Sequence, residues 1–183
     1  MREERKQSAD APRSGPRPLR VGVTGHTDLG CETVRLVGAS LGEHLRRMLK
    51  DSSEPFRTLI GVSCLAPGAD RVFADVVLRL GGRLEVILPW ADYLDSHVSG
   101  QHAVVLEELL RQASSVRAAG AAETGPPAYA AANDLMLDSV DRLVAVWNGM
   151  PSRKLGGTAH AVSAARARRM PVTVIWPEGS RRG

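Results

Sequence analysis

Aromatic side chains make up only 4% of this 183-residue chain, and it has just two cysteines. So few rings argue against the stacked platforms on which proteins hold single-stranded nucleic acid. Cys31 and Cys64 form no CxxC pair and no zinc-type spacing. They leave room for one disulfide or for two incidental thiols in a reducing compartment, and compartment chemistry favours the thiols. No apolar run approaches the ~18 residues of a membrane span. The first residues are polar and lack the apolar stretch of a secretory signal. A cytoplasmic protein that stays off the membrane is the expectation.

A strong charge of one sign is also missing where it would count. The formal net charge is +4, but residues 1–18 hold five basic and three acidic side chains. The closing PEGSRRG adds two arginines against Glu178. The middle of the chain is therefore close to neutral. That distribution counts against a nucleic-acid-binding face.

What is present is a regular alternation. Residues 1–18 are charged and poor in large apolar side chains, which reads as a disordered leader. Residues 19–177 read as one domain and 178–183 as a flexible tail. Short β-rich apolar runs occur at LRVGVTG, RTLIGVSCLA, RLEVILPW, DRLVAVWNG and PVTVIWP. Between them lie helical patterns. Val34, Val37, Leu41, Leu45 and Met48 recur at spacings of three and four, and Val72, Phe73, Val76, Val77 and Leu80 do the same. HAVVLEELLRQASSV reads as a long helix, RAAGAAETGPP as a loop, and AYAAANDLMLDSV and TAHAVSAARARRM as two further helices.

Continuous apolar strands alternating with helices predict an α/β, Rossmann-like three-layer sandwich. Five mainly parallel strands with right-handed crossovers take the order 3-2-1-4-5. Ligands in such sheets bind beyond the carboxyl ends of the strands, where the order reverses. Here that point lies between the first strand, ending in Thr24–Asp28, and the fourth, ending in Trp147, Asn148 and Gly149. The fourth strand's loop runs on to LGGT.

Gly156 and Gly157 allow close backbone approach, and Thr158 opens a helix whose free N–H groups favour a phosphate. Lys154 would add a mobile charge. Equally, the glycines would make a tight turn with Thr158 as an ordinary N-cap. The switch-point position favours the phosphate. In APGADR, Asp70 would cap the helix or meet a ribose while Arg71 faces an anion. Alternatively Gly68 only turns the chain, and Asp70 and Arg71 form a surface pair. His26 and Asp28 would serve as a base and its orienter, or His26 is a hydrogen-bonding loop residue. No third ligand joins them, so no metal is expected. Asn133 and Asp134 begin the polar side of a helix aimed at the same crevice, and Tyr129 either stacks on a base or closes the core.

VGVTGHTDL, PGADRVFADVVLRLGGRLEVILP, ANDLMLDSVDRLVAVWNG and LGGTAHAV together resemble the SLOG superfamily of Rossmann-like proteins, over about residues 19–176. That group includes the LOG-type phosphoribohydrolases, the DNA-processing protein A fold and nucleotide-sensing domains. The resemblance implies a nucleotide-derived ligand, with Gly25 and His26 beside it. Gly68–Arg71 would form the second loop, and Gly156–Thr158 would hold the phosphate. It also exposes a departure. LOG-type hydrolases carry PGGxGTxxE, and alignment on Gly157-Thr158 puts Ala161 where the catalytic glutamate belongs. CLAPGADR likewise replaces their GGGxxGLMG.

The expected function is therefore a nucleotide sensor or carrier without a cofactor. The alternative is a nucleotide hydrolase built on His26 or Asp70. A homodimer packed through the apolar face at Leu135–Val140 would suit either.

Overall fold

The computed structural model describes residues 17–51, 58–93, 101–120 and 124–183. The expected leader lies outside the described residues except for Arg17 and Pro18, and Arg17 is paired with Asp141 at 2.6 Å.

Among the described residues, eleven elements alternate: β1 (Leu19–Gly25), α1 (Cys31–Lys50), β2 (Leu59–Ser63), α2 (Ala69–Arg79), β3 (Arg83–Leu88), α3 (Gln101–Gln112), β4 (Ser115–Ala118), α4 (Pro126–Leu137), β5 (Arg142–Val146), α5 (Thr158–Ala167) and β6 (Val172–Ile175). The strands form one sheet in the order β4-β3-β2-β1-β5-β6, and every pairing is parallel. Without β4 this is the expected 3-2-1-4-5 arrangement. The sheet thus has six strands where the sequence pattern predicts five.

The added strand falls where a helix end and a loop were expected. All four residues of β4 are exposed, so the segment has no apolar face to mark it. Hydrogen bonding to β3 makes it a strand. Ser114 N–H donates to Leu84 O at 2.7 Å, and Ala119 N–H donates to Leu88 O at 2.8 Å.

Both faces of the sheet are covered because its inner strands carry apolar side chains in both directions. Val21, Val23, Val144 and Val146 meet α1 and α2 through Val37, Leu41, Leu45, Phe73 and Val77. Ile60, Val62, Leu143 and Ala145 meet α4 and α5 through Ala132, Met136, Val162 and Ala165. Val37, Leu41 and Leu45 are fully buried, while Val34, placed on the same stripe by its spacing, is 37% exposed. Complete burial of a side chain such as Leu41 or Phe73 stabilises by about 1.5–3 kcal/mol.

Two expectations meet the packed fold at this level. Met136 and Leu137 are buried, and Leu135 and Val140, each partly buried, pack beside them in the chain's own core. Residues 178–183 are no loose tail. Arg181 N–H donates to Thr33 Oγ1 at 2.7 Å, and Gly183 N–H donates to Asp28 O at 2.9 Å. Among the described residues, no helix is long and apolar enough to cross a membrane.

Candidate functional site

The ends of β1 and β5 are tied together and then diverge. His26 N–H donates to Val146 O at 3.0 Å, and Ala69 N–H donates to His26 O at 3.0 Å. The second bond brings the head of α2 against the β1 loop, and Gly68 permits it. Its φ is +75°, and a β-carbon there would stand 2.4 Å from His26 O. Beyond these ties opens a crevice of about 350 Å³. Gly25, His26, Asp70, Asn148, Gly156, Gly157 and Thr158 all line it, as do Asp28, Tyr129, Asn133 and Lys154. Gly68 and Arg71 do not, which leaves Gly68 with the packing role just described.

One wall of the crevice is the head of α5. Gly157 is the N-cap, in extended conformation, and no side chain caps the helix. Thr158 is thus the first helical residue, not the cap. The N–H groups of the first turn have no partner within the helix, and Thr158 and Ala159 both face the crevice. The loop before them is held firmly. Asn133 Nδ2 donates to Gly156 O at 2.9 Å, and Gly157 N–H donates to Lys154 O at 3.2 Å. Gly156 has φ +73°, and a β-carbon there would lie 2.7 Å from Tyr129 Cβ. Ala161, one turn further on, is fully buried and sends no functional group to the crevice.

The opposite side carries the titratable groups. Asp70 is 5% exposed. Its Oδ2 accepts from Ser63 Oγ at 3.0 Å and from Cys64 N–H at 3.2 Å. Burial raises its pKa from 3.8 to about 6, against those hydrogen bonds and one from Ala66. Burial likewise pushes up the Cys64 thiol and the Tyr93 phenol, and both cysteines are free thiols. Asp70 is thus neither a helix cap nor half of a surface pair with Arg71.

His26 and Asp28 do not form the expected base and orienter. Asn148 N–H donates to His26 Nε2 at 3.3 Å, so the imidazole accepts at that nitrogen. Burial lowers its pKa against an opposing hydrogen bond with Asn148, and nearby Arg182 acts in the same direction as burial. Trp176 packs edge-on to the ring at 5.2 Å. Asp28 pairs instead with Arg182 at 2.7 Å, whose hydrogen bonds hold the carboxyl below its usual range. The histidine therefore links the β1 and β5 loops across the switch point.

Sequence reasoning missed Arg182, which lines the crevice. It sits in a polar stretch with no periodicity, and its partner is 154 residues away. Tyr93 was missed as well. It forms a three-ring cluster with Trp90 at 5.0 Å and Tyr129 at 6.2 Å. Tyr129 thus closes this cluster and borders the crevice at once.

Six parallel strands with helices on both faces, and a crevice at the reversal of strand order, define a Rossmann-like fold, as the sequence pattern implied. No protein-family model and no curated protein matches the chain. Solved structures do. DNA processing protein A from Streptococcus pneumoniae matches 88% of this chain with a TM-score of 0.62 and 16% identity. The chain spans 52% of that protein. DNA processing protein A from Helicobacter pylori, described for a single-stranded DNA binding mode, matches 90% of this chain and 69% of its own, with a TM-score of 0.62 and 15% identity. The structural-genomics target TM1055 matches 84% of this chain and 72% of its own, with a TM-score of 0.51 and 17% identity.

These likenesses overturn the expectation that nucleic acid is an unlikely partner. That expectation rested on averages, the near-neutral middle and the low aromatic count, which say nothing of local placement. Tyr93, Tyr129 and Trp147 all line the crevice, as do Lys154 and Arg182.

Proposed function

We propose that the crevice binds a nucleotide, with a phosphate on the head of α5, and that the protein acts as a sensor or carrier. One observation carries this reading: an uncapped helix start, with Thr158 and Ala159 facing the crevice beside Lys154. Aligned N–H groups and the positive end of the helix dipole together favour an anion. Lys154 supplies a mobile positive charge. Tyr129 and Asn133, on the neighbouring helix, border the space left for sugar and base. The buried Ala161 puts no carboxylate where a LOG-type hydrolase needs one, which supports binding without that hydrolytic chemistry.

The test is a nucleotide panel of AMP, ADP-ribose and NAD, read by thermal shift and by mass spectrometry on the same samples. Stabilisation with the ligand recovered intact is the expected result. Thr158→Glu places a carboxylate against the phosphate and should abolish the shift while leaving the fold intact. Undiminished binding by this variant would remove the phosphate from α5. Release of base or phosphate would make the protein an enzyme instead.

A second reading has its own support. Two proteins sharing this fold are DNA processing protein A, one described for single-stranded DNA binding, and a nucleic-acid strand presents the same phosphate chemistry as a free nucleotide. Fluorescence anisotropy with a labelled oligonucleotide separates the two. Binding that falls steeply with salt, and that AMP fails to displace, would favour the strand.

A further inference from the structure

We propose that Arg182 is a phosphate contact of the crevice, carried there by a strap of residues 180–183 seated on the head of α1. This deepens the phosphate reading above and rests on it. The strap is fixed by its main chain. Arg181 N–H donates to Thr33 Oγ1 at 2.7 Å, and that hydroxyl donates back to Arg181 O at 2.8 Å. Residue 182 pairs antiparallel with Leu29, and Gly183 N–H donates to Asp28 O at 2.9 Å. The backbone position of Arg182 therefore does not depend on its side chain.

The side chain is then aimed by Asp28. Arg182 Nε lies 3.0 and 2.9 Å from the two carboxylate oxygens, and one amino nitrogen lies 2.7 Å from Oδ2. A guanidinium has five N–H donors in a planar fork, so this edge-on pairing leaves donors on the far edge. Arg182 lines the crevice from the sheet face that α1 and α2 cover, while the α5 head belongs to the opposite face. A phosphate-bearing ligand between them meets backbone N–H groups on one wall and a guanidinium on the other. The arginine has a second effect. Asp28 also lines the crevice, and Arg182 offsets a carboxylate that would repel the ligand.

Arg182 and Asp28 are 54% and 38% exposed. An exposed pair of this kind contributes little to stability, so its loss should leave the fold standing. The experiment is calorimetric titration of the full chain with ADP and with inorganic pyrophosphate. Arg182→Ala should weaken both by about tenfold or more, the effect expected of a charge-assisted contact. Adding Asp28→Asn should recover part of that loss, and Arg182→Lys should keep only part of the wild-type affinity, because an ammonium has no second edge to turn to the phosphate. Melting temperatures should stay within about 2 °C throughout.

Wild-type affinity in Arg182→Ala would overturn the inference. If Thr158→Glu abolishes binding while Arg182→Ala leaves it untouched, this inference alone fails and the phosphate site on α5 stands. If the wild type binds neither probe nor any nucleotide of the panel, the crevice reading fails and takes this inference with it.

Discussion

Replacing Asp70 with asparagine should make the protein more stable at neutral pH, by an amount that grows with pH in a defined window. The carboxyl is buried at the edge of the crevice, and burial lifts its pKa from 3.8 to about 6. Between those values the native state holds a proton that the unfolded chain has already released. Stability therefore falls as pH rises through the window, and the loss is complete above the folded pKa. Roughly two pH units at about 1.36 kcal/mol each give a loss of about 3 kcal/mol. Asparagine keeps the side chain's size and an acceptor oxygen for Ser63 Oγ and Cys64 N–H, but it cannot ionise.

Urea denaturation of both proteins from about pH 4 to about pH 8 isolates the effect, because the titrations they share cancel in the difference. The two should nearly converge at the acid end, and the variant should lead by about 3 kcal/mol at the alkaline end. A constant difference across the range would refute the reasoning. A variant that loses ground as pH rises would show that the three donors outweigh burial and favour the carboxylate.

Two more substitutions probe the scaffold beneath the site. A methyl group at Gly25 would stand 2.3 Å from Ala69 Cβ and 2.8 Å from Val146 O, so Gly25→Ala must part β1 from α2 or from β5. A lower urea midpoint, equivalent to about 3 kcal/mol, is expected, and a loss below about 1 kcal/mol would mean that the crevice floor yields easily. Arg20 on β1 grips Glu85 on β3 through two hydrogen bonds of 3.0 and 2.7 Å. Glu85→Ala should cost about 2 kcal/mol near neutral pH. Because Arg20 depresses the Glu85 pKa below 4.5, the pair's contribution is present above that value and vanishes as pH falls through the depressed one. The penalty should therefore shrink in acid, and a pH-independent penalty would assign it to packing.

The legible parts of the molecule were those whose signal is local. β2 and β5 are continuous apolar runs, and α1 and α2 carry their stripes at helical spacing, so layer order and chirality rules were enough to place the strands. The GGT loop stood out for a compound reason: its glycines and threonine fall at the strand end where topology puts a ligand. β4 was not readable, because its four exposed residues carry no pattern and only pairing with β3 makes it a strand. The same applies to the titration of Asp70, whose residue type is visible in the sequence but whose burial is a property of the packed fold.

Arg182 shows why charge counted along a chain misleads about a site. Its arginine entered the sequence reading as one of two extra charges in a loose tail, and subtracting that tail made the body look neutral. In the fold those residues seat on α1, and the guanidinium lies at the crevice beside Asp28. Electrostatic attraction depends on which charges share a low-dielectric cleft, not on the total. A near-neutral body is therefore compatible with a strongly anion-selective crevice, and the same argument reopens a nucleic-acid strand as its ligand. Salt separates the two occupants. A strand touching several phosphates should lose affinity in proportion to the number of ions it displaces, whereas a single nucleotide held by the α5 head and Arg182 should show a slope near that of one or two contacts.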